Sequence, residues 1–202
     1  MPTRPHETVL AHVTSLRPVT EVRSSLLQAS VTTLRARGHE RAYLEHLDPK
    51  YHEAALATGG PPWLPIDAAI AHYAACDRLD VDAEELRILG WSVGDRLQGT
   101  FMNGVAQGAQ AIGVTPWKLL GHFQRLWARV FQHGSIAVGK SGPKDGIVEV
   151  RGLPLARFLY FRTAFSGVIA RAIEFGGGRA VHVSVVRFDA ERGEITFAAA
   201  WV

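Results

Sequence analysis

The N-terminal two-thirds of the chain carries apolar residues at the spacing of amphipathic helices. From about Val19 to Arg37, one side of a predicted helix is apolar, and Gly38 follows as a stop signal. That side is formed by Leu26, Leu27, Val31 and Leu34. The same spacing predicts helices at Glu40–Leu47, Lys50–Ala57, Ile66–Leu79, Asp82–Ile112 and Pro116–Gln132. Ahead of them, Val9–Ser15 is predicted as a short strand.

Apolar and polar residues alternate in the remainder of the chain, as is typical of strands with one buried face. Ser135–Gly139 and Gly146–Val150 are predicted to form one hairpin, and Val181–Val185 and Ile195–Trp201 a second. A predicted helix at Leu155–Phe175 separates the hairpins. We therefore predict an α+β fold, in which a helical N-terminal two-thirds packs on a C-terminal antiparallel sheet of about four strands.

The composition is that of an ordinary globular protein, with 47% hydrophobic and 20% charged residues. We expect one domain over residues 1–202, in which residues 1–17 can form a loosely attached N-terminal segment. The single cysteine, Cys76, excludes an internal disulfide, and the start of the chain shows no secretory signal, so we expect a cytoplasmic location. The longest uncharged stretch, Leu97–Trp117, is too rich in Gly, Gln and Asn for a membrane span.

The charged residues indicate a solvated surface rather than a nucleic-acid interface. The formal charge of +3 comes from 22 basic and 19 acidic residues that are scattered along the chain. Nucleic-acid binders usually concentrate basic residues in one run or on one face. We therefore expect no nucleic-acid partner.

A phosphate-loop signature is present at Gly134–Ser141, which matches G-x-x-x-x-G-K-[ST]. A working phosphate loop follows a strand and opens a helix, so that backbone amides converge on the phosphates. Here a predicted helix precedes the signature, and a turn with Pro143 follows it. We therefore interpret the segment as part of a hairpin, and nucleotide binding through it is the least favoured function.

Two predicted helices could form an apolar pocket. In the first, small and apolar residues fall along one line, which allows either close packing of another helix or a groove for a ligand. In the second, large aromatic residues recur at helical spacing, as core side chains or as the opposite pocket wall. The predicted ligand pocket is lined by Gly94, Leu97, Phe101, Gly104, Trp117, Trp127 and Phe131.

No pattern predicts a catalytic site or a complete metal site. His72 and Cys76 lie one helical turn apart and are weak candidates for metal ligands, but zinc needs three or four ligands. The alternative is a partly buried histidine beside a core thiol. The acidic pair Glu84 and Glu85 lies at a predicted helix start, where carboxylates complement the helix dipole. We expect neither a metal nor catalytic residues, and no enzymatic activity.

Several short segments resemble a family of uncharacterised small bacterial proteins. The resemblance covers roughly Leu26 to Val202. It rests on His72–Leu79, Leu89-Gly90, Val93–Phe101, Val114–Trp117, Arg125–Trp127, Pro154–Arg157, Gly167 and a closing hairpin that ends in Trp201. That family is similar in layout to the vinyl-reductase and haem-nitric-oxide-binding domains and to the Golgi transport-particle subunits.

The resemblance implies an α+β fold with a hydrophobic channel and frequent dimerisation, and it implies no known reaction. The vinyl-reductase group tends to carry cysteines near its C-terminus, whereas this chain has none after Cys76. The haem-binding group uses a Tyr-x-Ser-x-Arg pattern. The chain has four tyrosines, and none of them begins that pattern: Tyr43, Tyr51, Tyr73 and Tyr160. We therefore expect no cofactor and no stoichiometric haem, although His72 and His122 are the histidines that could serve as axial ligands.

Two functional hypotheses remain open. The first is a non-enzymatic sensory or regulatory module that binds a small hydrophobic ligand in the predicted pocket. The second is a homodimeric scaffold, in which the same apolar helices form the core and the interface and no ligand is bound. A homodimer is expected in both cases.

Overall fold

The computed structural model describes residues 8–12, 17–56, 61–92 and 115–202. The first part of the chain is mainly helical and contains short strands. Its elements are β1 (Thr8–Ala11), β2 (Glu21–Arg23), α1 (Ser24–Ala36), α2 (Glu40–His46), α3 (His52–Leu56), β3 (Trp63–Pro65), α4 (Ile66–Cys76) and α5 (residues 83–92). A 3-10 turn at Pro49–Tyr51 leads into α3.

The second part begins with two short helices and continues as strand pairs around a long helix. Its elements are α6 (Pro116–Leu120), α7 (Phe123–Val130), β4 (Phe131–Gln132), β5 (Ser135–Lys140), β6 (Asp145–Arg151), α8 (Leu159–Phe175), β7 (His182–Asp189) and β8 (Glu194–Ala200). A 3-10 turn at Pro154–Arg157 precedes α8. Among the described helices, none combines the length and the apolar character that a membrane span requires.

The main sheet is antiparallel, with the strand order β1-β5-β6-β8-β7. Its two hairpins, β5–β6 and β7–β8, are separated along the chain by α8, so the predicted α+β fold is confirmed. Strand β1 pairs with β5 and adds a fifth strand at one edge. On the inner face, Val148 lies opposite Val138 on one side and Phe197 on the other, and all three are buried. Alternation in the sequence therefore gives one apolar face.

A second, small sheet has the order β3-β2-β4, and it corrects the predicted helix that began at Val19. Residues 21–23 are extended, and α1 begins only at Ser24. Val22 is fully buried and lies opposite Leu64 on one side and Phe131 on the other. Pairing with two strands distant in sequence outweighs the local helical pattern.

The single helix predicted at Pro116–Gln132 is also wrong, because the chain forms two helices and a strand there. Helix α6 begins as predicted, with the Thr115 side chain accepting a hydrogen bond from the Lys118 backbone N–H. The chain turns at Gly121 and His122, and α7 ends where Phe131 enters the strand β4. Of the long helix predicted at Asp82–Ile112, residues 83–92 are helical, and the rest lies outside the described residues.

Helices α5 and α8 make backbone contact at two glycines. A Cβ atom on Gly90 would overlap the backbone of Ala164, and a Cβ atom on Gly167 would lie 2.7 Å from the carbonyl oxygen of Arg87. Real Cβ atoms do not approach backbone atoms so closely. The lack of a side chain at Gly90 therefore allows α5 to pack closely against α8.

Candidate functional site: a buried polar chain between helices

Four polar side chains form a hydrogen-bonded chain inside the helical part, and each comes from a different helix. The Tyr43 hydroxyl of α2 lies 2.8 Å from His72 Nδ1 on α4. The other ring nitrogen, His72 Nε2, lies 3.0 Å from the Ser30 hydroxyl of α1. Ser30 Oγ lies 3.3 Å from the Tyr160 hydroxyl of α8. These four residues are called the buried polar chain below.

Burial makes these hydrogen bonds necessary. Tyr43 and His72 are fully buried, and Ser30 and Tyr160 expose no more than 2% of their surface. A buried polar group without a partner costs about 1–3 kcal/mol. Since every group of the buried polar chain has at least one partner, the helices can pack closely around it.

The buried polar chain is uncharged at neutral pH. Burial lowers the pKa of His72 from 6.5 to about 3, so the imidazole is neutral. Burial also raises the pKa of the Tyr43 and Tyr160 hydroxyls well above their ordinary value. A neutral imidazole offers one donor and one acceptor nitrogen, which suits a position between two hydroxyl groups.

Cys76 lies one helical turn after His72 and contacts the same ring. Its sulfur is 3.7 Å from His72 Nε2, and burial raises the pKa of the thiol well above its usual range. Both ring nitrogens of His72 already take part in hydrogen bonds. Among the described residues, no three His, Cys, Asp or Glu side chains lie close enough to hold a metal ion. The arrangement is that of a buried histidine beside a core thiol.

Asp77 positions the start of α8 and with it Tyr160. Its two carboxylate oxygens accept hydrogen bonds from the backbone N–H groups of Leu159, at 3.0 Å, and Tyr160, at 2.6 Å. A carboxylate at a helix N-terminus satisfies unpaired amides and complements the helix dipole. This contact joins α8 to the end of α4, next to His72 and Cys76.

Three residues of the predicted ligand pocket lie in the described part of the chain: Trp117, Trp127 and Phe131. The Trp117 ring packs 4.7 Å from Trp201, and its indole N–H donates to the Pro143 carbonyl oxygen at 2.8 Å. The Trp127 ring packs 4.3 Å from Phe131, beside the small sheet. The other four predicted pocket residues lie outside the described residues: Gly94, Leu97, Phe101 and Gly104. The pocket stays a prediction.

The phosphate-loop signature forms a sheet strand. Residues Ser135–Lys140 are β5, which pairs along its length with β6 and is joined to it by a short turn. The Lys140 ammonium lies 5.1 Å from the centre of the Trp117 ring. In an extended strand, successive amides point in alternate directions, so they do not converge on a phosphate. The hairpin interpretation of this segment therefore describes it correctly.

Two further side chains could serve a bound ligand. His122 is partly buried between α6 and α7, and its backbone N–H donates to the Leu119 carbonyl oxygen at 3.0 Å. The indole nitrogen of Trp91, on α5, is buried and has no hydrogen-bond partner among the residues that the structure describes. The Arg87 guanidinium lies 4.3 Å from the centre of the Trp91 ring. An interior N–H donor without a protein acceptor can be satisfied by a ligand.

Comparisons with known proteins give a likeness in structure alone. No protein-family model and no curated protein matches the chain. An oxygen-binding H-NOX domain related to soluble guanylate cyclases matches with a TM-score of 0.58 and 13% identity, over 89% of this chain and 94% of that one. The unliganded Fe(II) H-NOX protein from K. algicida matches with a TM-score of 0.60 and 7% identity, over 89% and 96%. An H-NOX structure from a study of haem distortion reaches 0.62 at 13% identity, over 89% and 94%.

The chain has the fold of H-NOX domains. These are haem-nitric-oxide/oxygen-binding domains, so the resemblance to that layout is confirmed at the level of fold. The expectation of no cofactor and no haem is contradicted, because structures that share this fold over 89% of the chain are of haem-binding domains. That expectation rested on one missing sequence pattern.

The described histidines differ in what they could offer to a haem iron. Both ring nitrogens of His72 are engaged, so this residue does not fit the role. His39 Nε2 is bonded to Glu85, and His52 Nε2 to the carbonyl oxygen of Leu47. Within the described residues, His122 is partly buried and its ring shows no such bond. An imidazole is a common axial ligand, and His122 fits that role.

Proposed function

We propose that the chain is a non-enzymatic sensory module that binds a small molecule through haem, with His122 as the axial ligand. The observation that carries the proposal is the shared fold, over 89% of this chain and 94% of an oxygen-binding H-NOX domain. Haem would supply an iron atom that binds a small gaseous ligand. The protein would supply the axial imidazole and a water-poor interior.

The character of the described interior supports binding rather than turnover. Its buried polar side chains are all neutral at physiological pH: Ser30, Thr33, His72, Ser135 and Ser166. A general acid or base works best when its pKa lies near the operating pH. His72 titrates near pH 3, and burial keeps the Cys76 thiol protonated, so neither is poised for catalysis.

The test is an absorption spectrum of the full chain, produced with a haem precursor and also reconstituted with hemin. We expect a Soret band at about one haem per chain, which shifts or is lost in His122→Ala. His182→Ala is the matched control, because His182 is exposed on β7, and it should keep the wild-type spectrum. His72→Gln should also keep the band, since both His72 ring nitrogens are engaged elsewhere.

Two outcomes would contradict the proposal in different ways. A Soret band that is unchanged in His122→Ala would show that another residue binds the iron. No band under either condition would remove haem from the proposal. Native mass spectrometry would then separate the two hypotheses that the sequence left open, because a bound small molecule adds mass to the chain and a ligand-free scaffold does not.

The homodimer and the cytoplasmic location stay predictions. Light scattering on the purified chain would test the first, and a dimer that persists on dilution to nanomolar concentration is the expected result for a constitutive interface. A monomer at that concentration would count against a scaffold role.

A further inference from the structure

Exposed apolar side chains and arginines lie together where α8 begins beside strand β7. Leu159, the first residue of α8, is 56% exposed, and Phe188 of β7 is 48% exposed. Arg162 lies one turn after Leu159, and its guanidinium is 3.8 Å from the centre of the Phe188 ring. Arg157 precedes them in the 3-10 turn that packs against both elements. Arg157, Leu159, Arg162 and Phe188 are called the arginine–phenylalanine face.

Both arginines of this face are held in place. Arg162 Nη1 donates to the Ala156 carbonyl oxygen at 2.7 Å, in addition to its contact with Phe188. Arg157 Nε donates to the Pro154 carbonyl oxygen at 3.1 Å, and its guanidinium lies over the Phe158 ring. Burial lowers the pKa of Arg162, but an arginine remains charged at neutral pH. A side chain that is already ordered loses little entropy when a partner binds.

The charge of the face favours an acidic partner. Two acids lie near the face, and both are engaged elsewhere. Asp77 accepts hydrogen bonds from the backbone of α8 with both carboxylate oxygens, and Asp189 accepts from the backbone N–H groups of Glu191 and Arg192 and lies 3.8 Å from the Arg192 guanidinium. Among the described residues, neither acid forms a salt bridge with Arg157 or Arg162, so both guanidinium groups can pair with a partner's carboxylates. Arginines and aromatic residues are enriched among the side chains that dominate protein–protein binding energy. Glutamate or aspartate side chains next to apolar anchors would complement this face.

Strand β7 is at the edge of the sheet, but its geometry disfavours the addition of another strand. The pairing of β7 with β8 shifts register between Val185 and Arg187, which leaves Val186 as the extra residue of a bulge. Bulges on edge strands interrupt the row of backbone groups that a second copy of the chain would need. The side chains of the face, rather than the backbone edge, are therefore the binding feature.

The first turn of α8 also connects this surface with the interior. Tyr160 points into the buried polar chain, whereas its neighbour Leu159 is exposed on the face. We propose that the arginine–phenylalanine face docks an acidic amphipathic segment of a partner protein. Docking does not depend on whether the chain binds haem. If the proposed sensory function holds, a change in the interior can be transmitted to the partner through this surface.

The test is fluorescence anisotropy with the full chain and a labelled synthetic helical peptide. The peptide carries leucines at positions i, i+3, i+4 and i+7 and glutamates elsewhere, so that one face is apolar and the other acidic. We expect saturable binding that weakens about tenfold or more in Phe188→Ser and in Arg162→Ala. Arg162→Lys should also weaken binding, because lysine keeps the charge but loses the planar contact with Phe188.

Matched controls separate this surface from a general effect of charge or folding. Arg179→Ala and Val202→Ser change an exposed arginine and an exposed apolar residue away from the face, and both should bind as the wild type does. Circular-dichroism melting of each variant checks that it is folded. If Arg162→Ala does not fold, Arg162→Lys takes its place in the comparison.

Four results would overturn the proposal. The first is that the acidic peptide shows no saturable binding, and the second is that the folded Phe188→Ser and Arg162→Lys variants bind it with wild-type affinity. The third is that a peptide with lysine in place of glutamate binds equally well. The fourth is that the chain binds only to vesicles of anionic lipid. If Phe188→Ser abolished a dimer of this chain while the peptide did not bind, the face would be an interface between two copies.

Discussion

The interior between α1, α2, α4 and α8 contains paired polar side chains, whereas the inner face of the five-stranded sheet is apolar. Among the helices, Tyr43, His72 and Ser30 are buried and bonded to one another. On the sheet, Val148 and Phe197 are fully buried and have no polar atoms in their side chains. Both regions exclude water, but they do so with different chemistry.

The difference shows where specificity is set in this fold. In the sheet, pairing between strands satisfies the backbone, and any apolar residue of suitable shape can fill the inner face. A helix satisfies its backbone hydrogen bonds internally. Polar side chains buried between helices must therefore find their hydrogen-bond partners among one another. The buried polar chain therefore requires α1, α2, α4 and α8 to adopt one relative arrangement, which apolar contacts alone would define less strictly.

The largest effect is expected where α5 touches α8, because no side-chain rotation can relieve a contact between backbones. Gly90→Ala places a methyl group inside the backbone of Ala164 and should lower the free energy of unfolding by about 3 kcal/mol. Urea unfolding followed by circular dichroism measures this change. Gly121→Ala is the control, since its Cβ would lie 3.3 Å from the nearest backbone oxygen, and a change within about 1 kcal/mol is expected. Equal changes in the free energy of unfolding for the two variants would show that α5 and α8 can move apart without loss of stability.

The next effect concerns pH and tests whether the polar interior is neutral. The pKa of His72 is lowered from 6.5 to about 3 by burial, so the unfolded chain binds a proton that the folded chain does not. The contribution of His72 to stability is therefore complete above pH 6.5, declines by about 1.4 kcal/mol per pH unit below it, and stops declining near pH 3. Between pH 6.5 and pH 5, the loss is about 2 kcal/mol.

Comparison with His72→Gln isolates this contribution from the other histidines. Glutamine keeps a donor and an acceptor but does not titrate. Urea unfolding at pH 7, 6 and 5 should show a steeper loss in the wild type than in the variant. Parallel pH profiles would mean that His72 titrates normally and that the interior is not as dry as its burial indicates.

A smaller effect is expected from one end of the buried polar chain. Tyr43→Phe removes a hydroxyl group and leaves His72 Nδ1 without its partner at 2.8 Å, which should cost about 1.5 kcal/mol. Thermal unfolding measures the change. Tyr51→Phe is the matched control, because Tyr51 is only partly buried, and little change is expected. If both variants were equally stable, the polar and the apolar interior would not differ in the way described above.

The smallest effect is expected on the surface of the sheet, at the lysine of the phosphate-loop signature. Lys140 contacts the face of the Trp117 ring and belongs to a regular strand, so Lys140→Ala should change the free energy of unfolding by less than about 0.5 kcal/mol. Isothermal titration with ATP should show no heat of binding for the wild type or the variant. An ATP affinity that disappears in Lys140→Ala would show that this segment binds phosphate.

Local patterns were sufficient to predict the sheet but not the small strands. Alternation in β5, β6 and β8 is a property of consecutive residues, and it identified both hairpins and their buried face. Strand β2 has three residues, and its burial depends on partners around Leu64 and Phe131. No local signal distinguishes such a segment from the first turn of a helix, and the predicted helix therefore began too early.

The candidate site was predictable only within one helix. The spacing of His72 and Cys76 indicated a partly buried histidine beside a core thiol, because the two residues lie one turn apart, and the structure buries the histidine completely. The other members of the buried polar chain come from remote positions, and the contact between Ser30 and Tyr160 spans 130 residues. Serine and tyrosine are common on surfaces, so their identity alone does not indicate burial. Asp77 was missed because it caps a helix that begins 82 residues later.

The buried polar chain has one hydrogen atom more than its contacts use. A neutral His72 carries one ring hydrogen, so with three hydroxyl groups the chain contains four hydrogens for three hydrogen bonds. If Nε2 carries the ring hydrogen, Tyr43 donates to the ring, Ser30 donates to Tyr160, and the spare hydrogen is on Tyr160. If Nδ1 carries it, each donor and acceptor exchanges roles, and the spare hydrogen is on Tyr43. The tautomer of one imidazole thus decides which of two distant helices, α2 or α8, presents a free hydroxyl donor, without any movement of the heavy atoms.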